Sequence, residues 1–576
     1  MSSQALIPRG WPPGLATIRG YRRAWLRGDL IAGVTVAAYL IPQVMAYAGV
    51  AGLPPVTGLW TALPPLVCYM LFGTSRLVSL GPESTTALMT AASVGPLAAG
   101  NPARYAALAA ALALLTGVLA GMAWLVRLGF LADLLSRPVL VGYLAGVGLI
   151  MMASQLGRFT GVHVSGDSFL ADVSSFAHHV SQVRPGDTVI AVIVTAVLFV
   201  ARARWPWLPG PLIAVLGATA VCAVSGLGQH SVALTGHVAA GLPVPAIPAV
   251  SWQDIRDLLL PAVSVLTVGF SDVVLTGRAF EHRGGGAIDA NGELLALGAA
   301  NAATGLLHGF PVSSSASRTA IAATTGARTQ VYSLTALVAV LVAVLAARPV
   351  LAAIPLAALA GIVVYAAANL IDIPAFKRLA AFRRSEFALA LAACVAVLGF
   401  GILYGVLAAV GLSVAELLHR VGRPHDAVLG LVPGLAGMHD VDDYPQAQTV
   451  PGLVVYRYDA PLFFANAQDF RRRALAAASE CAGQARWFIL NTEAIVEVDY
   501  TALEAVDAVR AELARRGIVF ALARVKQGLL DDLRAFSLAA RIGEQRIFPT
   551  LPTAVAAYRQ WEREHPPGQD GSAPAT

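Results

Sequence analysis

Apolar runs near or beyond the length that crosses a bilayer recur from residue 30 to residue 418, and the pattern predicts 14 spans, several of them broken by glycine or proline. Two of the breaks share one form. The first is Gly81-Pro82-Glu83-Ser84-Thr85-Thr86. The second is Gly309-Phe310-Pro311-Val312-Ser313-Ser314-Ser315-Ala316-Ser317-Arg318. Each sets a Gly/Pro interruption, then hydroxyls and one charge, inside an apolar region. Polar groups at that depth are costly and need a reason. An interruption followed by a helix start aims free N–H groups at an anion, and paired breaks in two halves of a chain point to a transport site. Two long polar connections, residues 157–186 and 227–257, contain few basic residues and fall outside the cell in this arrangement.

The pattern changes after Arg423. Residues 424–448 are rich in Pro, Gly and Asp and read as a linker. Beyond them the chain alternates short strands (Leu453 to Tyr456, Trp487 to Leu490, Ile518 to Leu522) with helices over 466–479 and 501–515. Such alternation predicts a small α/β layer domain over residues 449–562, followed by a disordered tail at 563–576. Residues 1–28 read as a cytoplasmic arm lying along the membrane through Trp11 and Trp25, and residues 29–423 as the membrane domain.

Composition agrees with a polytopic membrane protein. Of 576 residues, 57% are hydrophobic and 13% charged, and mean hydropathy is +0.67. A soluble domain carries about a quarter charged residues. Arg9, Arg19, Arg22, Arg23 and Arg27 precede the first apolar run without a cleavable leader pattern, which places the N-terminus in the cytoplasm. Most later basic clusters fall on the same side, although Arg104, Arg158, Arg184 and Arg348 do not. This bias accounts for the pI of about 9.2, so no nucleic-acid partner is needed. Cys68, Cys222, Cys394 and Cys481 have no metal-site or disulfide spacing.

Candidate chemistry lies within the spans. Gln43 and Tyr47, one turn apart in the first span, share a face that is either a kinked-helix hydrogen bond or a cavity wall. Glu83, with Ser84, Thr85 and Thr86, sits at a helix start as an ordinary cap or as a protonatable group beside a substrate. Asp272 and Thr276 share a face; Asp272 is a proton carrier, a Na⁺ ligand with Thr276, or an ion-pair partner of Arg318. Ser313, Ser314, Ser315, Ser317 and Arg318 combine a helix start, hydroxyls and a cation, which suits an anion. Gly284-Gly285-Gly286, His178-His179 and Arg471-Arg472-Arg473 read as a connection, an exposed loop and a solvated face. No nucleophile–base constellation or metal-ligand cluster stands out, which argues against an enzyme.

The run from Gly28 to Val36, with Ile41-Pro42-Gln43-Val44-Met45-Ala46-Tyr47-Ala48 and Leu53-Pro54-Pro55-Val56-Thr57-Gly58-Leu59, resembles the SulP sulfate-permease signature. Asn291-Gly292-Glu293-Leu294 through residues 309–315 carries a second match, and the C-terminal α/β region resembles a STAS domain. The resemblance covers nearly the whole chain and is greatest to actinobacterial members assigned to sulfate uptake. It implies two inverted repeats of seven spans, a core bundle and a gate bundle, and a homodimer. It also implies an anion site lined by spans 1, 3, 8 and 10, which carries over to Gln43, Tyr47, Glu83, Asp272, Thr276, Ser317 and Arg318. Many members have a small or apolar residue at the Glu83 position, so an extra acid beside an anion favours proton coupling. The STAS loop resembles Asp499-Tyr500-Thr501-Ala502-Leu503, with Thr501 at the phosphoacceptor position of an altered pattern.

The expectation is therefore a plasma-membrane, multi-pass, secondary-active transporter with both termini cytoplasmic. It would take up sulfate or a related small anion with H⁺ by alternating access, without a cofactor or resident metal. The alternatives are Na⁺-coupled bicarbonate symport with Asp272 and Thr276 as metal ligands, dicarboxylate transport, or a membrane-tethered STAS signalling scaffold.

Overall fold

The computed structural model describes residues 14, 20–133, 136–164, 168–205, 208–225, 232–236, 241–281, 287–480 and 485–566. Trp11, Arg9, Arg19, Arg283, Cys481 and the run Gly284-Gly285-Gly286 lie outside them. The chain forms two compact units, Met1–Ser413 and Val414–Thr576.

The first unit is helical. Among the described residues, eight helices are long and apolar enough to cross a membrane. In chain order the unit contains α1 (Leu26–Val50), α2 (Pro55–Phe72), β1 (Leu80–Gly81), α3 (Ser84–Ala98), α4 (Pro102–Leu125), α5 (Arg137–Thr160), α6 (Pro185–Arg204) and α7 (Gly210–Ser225). Then follow α8 (Trp252–Phe280), α9 (Ala290–Leu306), β2 (Ser313–Ser314), α10 (Ala316–Thr324), α11 (Val331–Ala346), α12 (Leu356–Leu370) and α13 (Arg384–Gly422), whose residues from Val414 on belong to the second unit. At 25 residues, α1 is about 37 Å long, enough to cross the hydrocarbon core. The 39 residues of α13 are two helices in sequence, because Gly401 leaves helical geometry at φ 76°, ψ 175°.

Two features of this unit position the site. The breaks singled out above meet: β1 pairs antiparallel with β2, Leu80 opposite Ser314 and Gly81 opposite Ser313. Each short strand leads into a short helix, α3 or α10, that does not span alone. Second, α4 and α9 pack backbone against backbone. A Cβ on Gly117 would lie 2.5 Å from the Ala302 nitrogen, and one on Gly305 would lie 2.7 Å from the Ala110 oxygen. Small residues permit this approach, which stands in for a hydrophobic drive that lipid does not supply.

The second unit is an α/β layer. Its six-stranded sheet has the order β4-β3-β5-β6-β7-β8. The strands are β3 (Asp426–Leu431), β4 (Met438–Asp440), β5 (Leu453–Tyr458), β6 (Trp487–Asn491), β7 (Val519–Ala523) and β8 (Ile547–Phe548). β5 through β8 run parallel, and β3 and β4 are added antiparallel at one edge. Alternate residues divide the core. Val454, Tyr456 and Tyr458 pack with α14 (Ala467–Glu480) and α15 (Tyr500–Arg515), whereas Leu453 and Val455 pack with α17 (Leu551–Glu564). A further helix, α16 (Gln527–Ala535), joins the first side.

Two boundary expectations change. The segment 424–448 is not a linker: it supplies β3 and β4, with Ala427 and Leu429 buried. Pro433, Gly434, Gly437, Asp442, Asp443 and Pro445 lie outside the strands, whereas Asp426 and Gly430 are within β3 and Asp440 within β4. The expected tail starts too early, because α17 continues to Glu564; residues 567–576 lie outside the described residues.

Gly117→Val and Gly305→Val are expected to destabilise the first unit by about 1–3 kcal/mol through overpacking. The readout is a lower melting temperature of detergent-purified protein, with Gly121→Val, which meets open space, as the control.

Candidate functional site

Arg318, in the first turn of α10, has no exposed surface. Its Nη1 donates to Gln43 Oε1 and to the Pro82 carbonyl oxygen, each at 3.0 Å, and Nε donates to Ser79 Oγ at 3.3 Å. Nη2 is buried without a hydrogen-bond partner, beside Gly81, where a Cβ would come within 3.3 Å of it. Among the described residues no carboxylate forms an ion pair with Arg318; every partner is neutral. The ion pair with Asp272 considered above is not formed.

Asp272 is half-buried on α8. Its Oδ2 lies 3.1 Å from Ser313 Oγ and 3.0 Å from Ser314 Oγ, and Ser314 Oγ lies 3.1 Å from Thr276 Oγ1. The shared face of Asp272 and Thr276 thus closes through β2 rather than by direct contact. Glu83 caps α3: Oε2 accepts the Thr85 N–H and Oε1 the Ser84 hydroxyl, both at 2.8 Å. One of the N–H groups expected to face an anion is therefore already taken by Glu83. The other helix start is different, because Ser315 makes no side-chain cap and instead lies 3.1 Å from Ser317 Oγ. Gln43 Nε2 donates to Tyr47 Oη at 2.9 Å. Glu83, Asp272 and Arg318 all lie within electrostatic range of one another.

Several members of the site were missed. Tyr39 stands beside Ser317 and Arg318. Its spacing of four before Gln43 and eight before Tyr47 was a legible signal. Ser79, the Pro82 carbonyl and Thr319, whose hydroxyl accepts the Ser79 N–H at 3.0 Å, had none. Asn301 on α9 pins β2 by accepting the Val312 N–H at 2.9 Å and donating to the Val312 oxygen at 3.2 Å. Away from this centre, Thr501 is exposed in the first turn of α15, where Asp499 caps the helix through the Ala502 N–H at 2.8 Å. No group of three or more His, Cys, Asp or Glu that could hold a metal occurs among the described residues.

Discontinuous helices meeting around buried charges, joined in sequence to an α/β domain, define a helical membrane transport protein. Residues 26–393 match the sulfate permease family and residues 444–554 match the STAS domain. The chain is 59% identical over 552 residues to a probable sulfate transporter of Mycobacterium tuberculosis, covering 96% of this chain and 98% of that one. It is 29% identical to the chloroplastic sulfate transporter 4.1 of Arabidopsis thaliana, over 95% and 82% of the two chains. The fold is similar to that of the murine solute carrier 26 family member A9 anion transporter, with a TM-score of 0.87 at 22% identity over 96% and 94% of the chains. It is also similar to the transmembrane domain of the cyanobacterial bicarbonate transporter BicA, with a TM-score of 0.60 at 24% identity over 68% and 98%. The chain belongs to the sulfate permease family, and it is a membrane transporter rather than an enzyme.

Asn301→Ala leaves the Val312 N–H and C=O unpaired in a buried setting, a loss of about 1–3 kcal/mol. Lowered thermal stability of the purified protein is the expected result, and an unchanged melting curve would remove Asn301 from the account.

Proposed function

We propose that this protein takes up sulfate, or a closely similar inorganic oxyanion, together with protons by alternating access. The observation that carries the reading is the Arg318 guanidinium, buried among neutral acceptors with Nη2 free. A buried charge without a directly bonded counter-ion is expensive, and an anion arriving beside it lowers that cost. At about 4 Å and an effective dielectric of 20, attraction is about 4 kcal/mol per unit of anion charge. Near identity in length and 59% identity to a probable sulfate transporter favour sulfate as the anion.

In this reading the uncapped start of α10, the hydroxyls of Ser313, Ser314, Ser315 and Ser317, and Arg318 contact the oxyanion. Gln43 and Tyr47 form the facing wall, and Glu83 and Ser84 close the second helix start. Two carboxylates beside a single guanidinium would repel a dianion. Protonation of Asp272 or Glu83 relieves that repulsion and ties anion entry to proton entry. The same reading includes 14 crossings in two inverted repeats, core and gate bundles, a homodimer and cytoplasmic termini in the plasma membrane.

A second reading has its own support. Asp272, Thr276, Ser313 and Ser314 cluster hard oxygen ligands of the kind that suit a hard cation. Na⁺-coupled bicarbonate uptake would then use this cluster for the cation. Replacing Na⁺ with choline would abolish bicarbonate uptake on that reading and leave proton-driven sulfate uptake untouched on the first.

The test is uptake of labelled sulfate into proteoliposomes with an imposed pH gradient, acidic on the side of entry. Uptake is expected to follow the gradient in the parent chain and to lose that dependence in Asp272→Asn/Glu83→Gln. Gradient-independent uptake by the parent chain, or full coupling in the double variant, would refute proton coupling.

A further inference from the structure

A polar cavity lies at the end of the first unit where α1 and α5 finish and α6 begins. Its volume is about 760 Å³, and Gly49, Gln155, Arg158, Arg184 and Asp187 are among the residues lining it. Gly49 is two residues beyond Tyr47 on α1, about 3 Å further along the helix axis. Three observations distinguish it from an ordinary wet crevice.

Neither Arg158 nor Arg184 forms an ion pair among the described residues. The Arg158 guanidinium rests on Gly49, where a Cβ would lie 2.5 Å from Nη1, so the glycine makes room for it. Asp187 is only 2% exposed, yet its Oδ2 has no hydrogen-bond partner. A buried oxygen without a donor calls for a ligand or an ordered water. Two acids border the cavity, Asp172 and Asp187, together with His163. Asp187 is engaged by the Ala233 backbone, and Asp172 has a partner of its own. Arg184 lies within electrostatic range of Asp187 without a close ion pair, and Arg158 faces no carboxylate among the described residues, so both guanidiniums keep donors for a ligand.

We propose that this cavity is a second oxyanion site, in which Arg158 and Arg184 capture the anion before it reaches Arg318. The inference rests on the anion-transport reading above. Two guanidiniums supply planar donor pairs that suit a tetrahedral or trigonal oxyanion. Asp187 Oδ2 accepts from a bridging water or, with bicarbonate, from the ligand's own hydroxyl. Free cationic groups at the mouth of a path also raise the local anion concentration, an effect that salt weakens.

Ser154 lines the same cavity and reports on it. In Ser154→Cys, the rate of thiol modification by a neutral, membrane-impermeant reagent is measured with sulfate, with bicarbonate and with gluconate as the ionic-strength control, after subtracting the parent chain. Sulfate is expected to slow modification by about threefold or more relative to gluconate, as occupancy of a site by a bound ligand requires. Protection should persist in Ser154→Cys/Arg318→Gln and vanish in Ser154→Cys/Arg158→Gln/Arg184→Gln. Protection by bicarbonate as well would identify a general oxyanion site, whereas protection by sulfate alone would identify a dianion site. The proposal is overturned if sulfate gives no protection with both arginines present, if protection survives their removal, or if Arg318→Gln alone abolishes it. That last result would place the anion only at the buried site. Failure of the transport reading appears separately, as absence of labelled-sulfate uptake by the parent chain.

Discussion

The structure of the membrane unit depends on how one guanidinium is buried. Arg318 is held by a side-chain amide, a main-chain carbonyl and a hydroxyl, from α1, the Pro82 break and the segment before β1. Had a carboxylate held it, the pair would be self-contained and an incoming anion would have to break it. Neutral acceptors fix the position of the charge without cancelling it. The glycine at 81 allows Nη2 to approach the crossing backbone, and the β1–β2 pairing brings that backbone to it.

Holding Arg318 this way requires the two crossing segments to be rigid, and buried carboxylates away from the centre fix them. Asp29, at the start of α1, accepts the N–H groups of Arg328 and Thr329 at 2.7 and 3.2 Å, ordering the connection after α10. Gln330 from that connection donates to the Ser75 and Val78 carbonyls at 3.0 and 2.9 Å. Glu293, at the start of α9, accepts the Thr74 N–H at 2.9 Å and the Tyr69 hydroxyl at 3.2 Å. Each half of the unit thus fixes the loop of the other. Backbone contact between α4 and α9 keeps those anchors in register, and Asn301 on α9 ties β2 to the same pair.

Sequence reading recovered the parts that follow from periodicity and from the cost of buried charge. The helical membrane character, the α/β domain and the two breaks that pair are of this kind, though eight span-length helices occur among the described residues against 14 expected crossings; Asp272, Glu83 and Arg318 stand out as candidates because polar groups in apolar runs are conspicuous. Which charges pair was not legible. Arg318 could have met Asp272, and only the β1–β2 register, set by residues over two hundred positions apart, assigns the hydroxyls of β2 to Asp272 and the Pro82 carbonyl to Arg318. Ser79 and Thr319 are unremarkable in a one-dimensional pattern because their roles arise from long-range backbone placement. Strands β3 and β4 are hidden for another reason: added antiparallel at one side of the sheet, with β4 at the edge, they are short and interrupted by Pro- and Gly-rich turns, so their alternation is masked by composition.

If Arg318 waits for an anion, then sulfate must stabilise the folded protein through that residue. The direct measurement is the melting temperature of purified protein against sulfate concentration, with Arg158 and Arg184 replaced by glutamine throughout so that only the buried site reports. With Arg318 present, the melting temperature should climb with sulfate, approaching about 2.7 kcal/mol of stabilisation at a hundredfold excess over the dissociation constant. In Arg318→Gln the curve should be flat against a gluconate control. An equal rise in both proteins would contradict the account, because the anion would then be held by something other than the buried guanidinium.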